Sequence, residues 1–124
     1  MSAGNKEIVE KVNAAFARGD IEGFLSFCTD DVTFAMVGDK TSKGKDAIRS
    51  WMASGPQEPP SFSVDDVIGE GDIVMARGNM TMKNKEGKPE SYAYCHTYRF
   101  RGGQIAELKA YVIKTAPALE ASGV

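Results

Sequence analysis

The chain has 124 residues, 42% of them hydrophobic, and a formal net charge of -2. That length supports one core, burying about two-thirds of the unfolded surface, and the charge balance argues against nucleic acid, which demands a clear basic excess. Apolar runs fall short of the ~20 residues of a membrane span. No secretory apolar segment opens the chain, so Cys28 and Cys95 read as free, mostly buried thiols of a cytoplasmic protein.

Ile8, Val12, Ala15 and Phe16 recur at three- and four-residue intervals, while Lys6, Glu7, Glu10 and Lys11 fall largely elsewhere. This predicts an amphipathic helix capped by Asn5 and stopped by Gly19. Asp20 is then the N-cap of a short second helix, Ile21 to Phe27, with Phe24, Leu25 and Phe27 to bury. Val32 to Val37 reads as a strand and GDKTSKGK as turn and loop. A third helix is expected from Asp46 to Ala53 with Ala47, Ile48, Trp51 and Met52 inward, ended by the prolines of SGPQEPP. From Ser61 the period changes, predicting strands at 61–69, 73–83, 89–101 and 104–114 and a weakly ordered tail over 115–124. Helices first and an antiparallel meander afterwards make one α+β domain over residues 1–124, helices on one face of the sheet. The only dense basic run, Lys83, Lys85 and Lys88, falls at a hairpin tip, where solvated lysines are the plain reading.

The turns set which residues face inward. In NKEGK a three-residue loop, Lys85-Glu86-Gly87, pairs Asn84 with Lys88 and places Met80, Gly78 and Ala76 opposite Tyr92, Tyr94 and His96. FRGGQ, read the same way with Gly103 left-handed, pairs Phe100 with Gln104 and places His96, Tyr94 and Tyr92 opposite Leu108, Ala110 and Val112. A two-residue turn at either place would invert the faces. Binary pattern agrees with the three-residue reading: Ala76, Gly78, Met80, Tyr92, Tyr94, His96, Phe100, Leu108, Ala110 and Val112 collect on one side. Arg77, Asn79, Thr81, Cys95, Thr97, Arg99, Glu107 and Lys109 collect on the other. Aromatic rings opposite Gly78, Ala76 and Ala110 leave room on the first face, where an apolar concavity with one titratable group suits a small apolar ligand.

Two helices carrying ARGDIEGFLSFCTDDVTF, a third opened by SKGKDAIRSWM, and a closing hairpin YRFRGGQIAELKAYV resemble the nuclear transport factor two-like superfamily over about Asn5 to Val112. Within it they are most similar to the SnoaL-like and ketosteroid-isomerase-like proteins. The resemblance implies a cone, in which a strongly curved antiparallel sheet wraps three N-terminal helices and opens on a mostly apolar pocket, often with dimerisation through the outer sheet face. Its members include steroid isomerases, polyketide cyclases, epoxide hydrolases, dehydratases and non-catalytic proteins, so the fold does not choose the function. Carried across by position, the isomerases' general-base aspartate falls at about Met36, their oxyanion tyrosine near Val12, and their protonated aspartate at His96. Steroid isomerisation by that route is therefore not expected. The SnoaL-type histidine of the penultimate strand matches His96, while the partner aspartate of the last strand falls at Ala110 or Val112.

The expected pocket is lined by Val12, Phe16, Met36, Trp51, Met52, Ala110 and Val112, with His96 and Tyr94 as its hydrogen-bonding groups. His96 titrates near neutrality and can shuttle a proton or donate to a carbonyl oxygen; the alternative is a core histidine bonded to Tyr94, Tyr98 or a backbone carbonyl. Trp51 and Met52 either roof the pocket or simply pack helix on sheet. Asp30 and Asp31 read as capping residues, and Asp65 and Asp66 alternate faces. One histidine and two separated cysteines offer no convergent metal set, and neither a nucleophile elbow nor a phosphate loop is present, so no cofactor or metal is expected. These residues suggest a small hydrophobic ligand and either cofactor-free isomerisation or cyclisation through His96 or a non-catalytic ligand-sensing or dimerisation module, and the resemblance implies a homodimer through the outer sheet face.

Overall fold

The computed structural model describes residues 2–54, 61–84 and 86–115. The loop residue Lys85, the prolines that follow the third helix and the tail from 116 onward lie outside the described residues.

Helix α1 spans Ser2–Arg18 and starts earlier than its expected Asn5 cap; Asn5 is instead a buried residue inside the helix, in line with Val9, Val12 and Ala15. Gly19, at φ 70, turns the chain out. Asp20 caps α2, Ile21–Leu25, by accepting from the Gly23 amide at 2.9 Å, and the helix closes before Phe27. Helix α3, Lys45–Ala53, starts after Gly44 and buries Ile48, with Trp51 and Met52 half-buried and Ala47 exposed rather than inward.

The strands are β1 Cys28–Met36, β2 Thr41–Lys43, β3 Ser61–Glu70, β4 Ile73–Lys83, β5 Pro89–Arg101 and β6 Gln104–Lys114. β1 begins four residues before the expected Val32, and the short β2 lies in the stretch read as loop. The sheet order is β2-β1-β6-β5-β4-β3. All neighbours are antiparallel except β1 and β6, which run parallel and join the two ends of the strand sequence. Interruptions of register in β1, β3 and β6 bend the sheet, which stays unclosed. Helix α1 packs on β3 and β4, α3 on β1 and β2, and α2 bridges the two helices. The core centres on Phe24, Leu25, Ile48, Tyr98, Ile105 and Leu108. An aromatic series, Phe16 to Phe24 to Phe34 to Trp51, tilted at the first contact and edge-on at the next two, with centroids 4.9, 6.1 and 5.1 Å apart, ties all three helices to β1.

The β4–β5 register matches the sequence reading: Ala76 faces His96, Gly78 faces Tyr94 and Met80 faces Tyr92. The β5–β6 register does not. Gly102 and Gly103 both take positive φ, 61° and 82°, making a two-residue turn that pairs Arg101 with Gln104. Such a turn alone would invert the faces, but the ladder then skips Ala106, pairing Phe100 with Ile105 and Arg99 with Glu107. The extra residue restores the original sides, displaced by two: Tyr98 faces Leu108, His96 faces Ala110 and Tyr94 faces Val112.

Candidate functional site

With these registers the inner face resolves into cross-sheet rows. The middle row runs Met36, Ala110, His96, Ala76, Val67, from β1 across to β3. On one side of it lie Val112, Tyr94 and Gly78, and on the other Phe34, Leu108, Tyr98 and Val74. His96 thus stands between two alanines along the row and two tyrosines along its strand, with centroids 4.8 Å from Tyr94 and 6.4 Å from Tyr98. Alternation on a half-buried strand puts these rings on one face, and small neighbours keep them from being overpacked.

Burial dominates the electrostatics. Desolvation lowers the His96 pKa to about 4, so the ring is neutral at pH 7. Its Nδ1 is buried and has no hydrogen-bond partner, although the residue as a whole keeps some exposure; the accessible part of the ring is therefore not its Nδ1 edge. The Tyr94 hydroxyl donates to the Ser63 carbonyl at 2.8 Å, and burial pushes its pKa up to about 12. That bond crosses Gly78, where a Cβ would stand 2.0 Å from the Ser63 carbonyl oxygen and 3.1 Å from the Tyr94 hydroxyl. Ser63 precedes the β3 irregularity at Val64/Asp66, which lets the strand lean over Gly78. A glycine inside a strand was the sequence signal for this close approach; the acceptor, Ser63, left none.

The expected site residues fall into two groups. Val12 and Ala110 are enclosed, at 0% and 1% exposure, and belong to the wall of the core. Phe16, Met36, Trp51, Met52 and Val112 pack against that core while keeping part of their surface, as does His96. The sheet brings Met36, Ala110, His96, Tyr94 and Val112 into adjacent rows; Val12 and Phe16 come from α1, and Trp51 and Met52 from α3. Two residues that sequence reasoning left out of the lining border it, Phe62, whose ring meets Tyr94 edge-on at 6.2 Å, and Tyr98.

Of the acidic pairs, only Asp65 is felt at the site, where its charge adds to burial in raising the Tyr94 pKa. Asp31 accepts from Arg101 and Thr29, which hold its carboxyl below the usual range, and Asp30 pairs with Lys45. Asp66 pairs with Arg77 and Asp65 meets Asn79. Shallow clefts lie between α1 and α2, at Lys11, Arg18 and Phe27, and beside Asp31 and Arg101. Cys28 is buried, with its thiol donating to the Phe24 carbonyl and its pKa pushed up to about 12, while Cys95 is half-buried on the outer face. Among the described residues no cluster of His, Cys, Asp or Glu could hold a metal, and no helix is long and apolar enough to cross a membrane.

A curved, mostly antiparallel, unclosed sheet folded over three N-terminal helices defines the NTF2-like fold class. More closely, the chain belongs to the SnoaL-like domain family, whose model matches residues 9–108. An NTF2-like protein of unknown function from Burkholderia pseudomallei K96243 superposes with a TM-score of 0.80 at 20% identity, covering 90% of this chain and 91% of that one. A structure from Jannaschia sp. CCS1, described provisionally as a SnoaL-like polyketide cyclase, gives 0.81 at 14% identity over 98% and 90% of the two chains. A LEH-like epoxide hydrolase from M. tuberculosis gives 0.77 at 14% identity over 90% and 84%. At these identities the likeness establishes the fold. No curated protein matches the sequence.

Proposed function

We propose that this chain, as one domain, binds a small hydrophobic molecule against the inner sheet face, between α1 and α3, and that His96 acts on it. The observation that carries the reading is a neutral imidazole on a half-buried residue, framed by Ala76 and Ala110, with the half-buried Met36 beyond Ala110 in the same row and Val112 in the next. Apolar walls with one oriented polar group are the usual make-up of a small-molecule site. A histidine with so low a pKa is a poor base but a good neutral donor, suited to polarising a carbonyl oxygen during isomerisation or cyclisation. Tyr94, its hydroxyl proton already given to Ser63, offers the ligand its ring and an acceptor oxygen.

A second reading, a ligand-sensing module without turnover, is favoured by the row around His96, which brings no carboxylate to it: its members are Met36, Ala110, Ala76 and Val67. In either case the protein is cytoplasmic and a homodimer through the outer face of the sheet, where Ile113, Ile68 and Tyr111 are 69%, 56% and 40% exposed.

An NMR titration tests the site, since a single histidine gives an unambiguous signal. Hydrophobic ketones and aromatic acids are expected to shift the His96 ring resonances and those of the Trp51 indole together. A His96 signal indifferent to every compound would overturn the pocket. Turnover of a bound ketone by wild type and its loss in a folded His96→Ala variant would decide for catalysis; binding without turnover would decide for sensing.

A further inference from the structure

Among the described residues, two buried polar side-chain atoms on this face have no hydrogen-bond partner: His96 Nδ1 and the Tyr98 hydroxyl. Tyr98 is 0% exposed, and burial raises its pKa far above the ordinary tyrosine value, so the hydroxyl keeps its proton. An unpaired buried hydroxyl is costly, and native proteins relieve such groups with a partner or an ordered water. Here the two orphans are neighbours, two residues apart on one face of β5, in rings 6.4 Å apart and at 77° to each other. They make no direct bond, and the cross-strand neighbours of both are apolar: Val74 and Leu108 beside Tyr98, Ala76 and Ala110 beside His96. The two orphans therefore share one apolar neighbourhood in which each is the other's nearest unpartnered group on the strand.

We infer that Tyr98 is a positioning residue for His96: one buried water accepts the Tyr98 hydroxyl proton and donates to His96 Nδ1, fixing the ring as the tautomer protonated on Nε2. The direction follows from counting. Tyr98 can satisfy its own proton only by donating it. A water accepting from both rings would leave both of its hydrogens against alanine, valine and leucine side chains, whereas one that donates to Nδ1 leaves a single hydrogen unserved. The nitrogen on the accessible side of the ring is then a donor, which is what a carbonyl ligand needs. This deepens the proposed role of His96, yet the tautomer exists whether or not a ligand binds.

The test is made on the folded, ligand-free protein at pH 7. Long-range nitrogen–proton correlation of the imidazole is expected to show one tautomer, with Nδ1 unprotonated. The Tyr98 hydroxyl proton is expected to exchange slowly and to show a cross-peak to water. A Tyr98→Phe variant that keeps the wild-type amide spectrum is expected to show mixed tautomers, with at least a several-fold rise in the Nδ1-protonated form. A wild-type ring protonated on Nδ1, a Tyr98 hydroxyl without a water cross-peak, or a folded Tyr98→Phe variant with unchanged tautomer would each overturn the inference. Because no ligand is added, these outcomes are separate from the ligand titration that tests the pocket.

Discussion

At His96 folding lowers the pKa from 6.5 to about 4, which couples stability to pH. Between those values the unfolded chain holds a proton that the folded one does not, so stability falls as pH drops through the window and levels off below it. The loss approaches roughly 3 kcal/mol at the bottom of the window, at 1.36 kcal/mol per pKa unit. Urea midpoints measured at several pH values are expected to show this slope in wild type and to lose it in His96→Phe. A slope unchanged in the variant would mean that His96 is far better solvated than its buried Nδ1 suggests. Gly78 makes a steric statement of the same kind. In Gly78→Ala the new methyl meets the Ser63 carbonyl at 2.0 Å, backbone against side chain, and a loss of about 2–4 kcal/mol is expected by denaturant unfolding. Tyr94→Phe removes only the hydroxyl bond to that same carbonyl and should cost about 1 kcal/mol.

The β5–β6 hairpin shows how an element recovers the right face by an unexpected route. Gly102-Gly103 and the skipped Ala106 are complementary: each alone would turn Glu107 and Lys109 inward, and together they keep Leu108 and Ala110 there. Deleting Ala106 should therefore be far more damaging than its alanine side chain suggests, abolishing the cooperative near-UV thermal transition. Gly103→Ala, which strains the turn without changing register, should lower stability by only about 1–2 kcal/mol. A cooperative, near-native Ala106 deletion would show that the ladder slips freely. Patterning made the inward set legible, because alternation and side-chain type carry it. Turn length was not legible, since RGG fits two- and three-residue loops alike and the compensating bulge lies three residues beyond Gly103 in an ordinary-looking strand.

For the whole molecule, the outer sheet face sets the expected assembly. Ile113 and Tyr111 lie opposite Ala93 and Cys95, an apolar strip bounded by the Thr97–Lys109 pair. Sedimentation velocity is expected to give a dimer for wild type and a monomer for Ile113→Lys, whose amide spectrum should otherwise match because the side chain is exposed. A monomeric wild type would reject that interface. The opposite, helix-covered side answers to Ile48, the buried residue of α3: Ile48→Ala should cost about 2–5 kcal/mol and loosen the Trp51 ring against Phe34.

By itself the sequence determined the helix-then-strand order, all four long strands from Ser61 onward to within a residue, the Asp20 cap and the inward histidine. Each is a local matter of period, capping or alternation, and local patterns survive without knowledge of the fold. Only the tertiary structure decided that β1 lies parallel beside β6, that Tyr94 spends its proton on Ser63 across Gly78, and that His96 faces Ala110 with Nδ1 and the Tyr98 hydroxyl buried together. These depend on which distant segments meet and on how far water is excluded where they do, and no spacing along the chain encodes either.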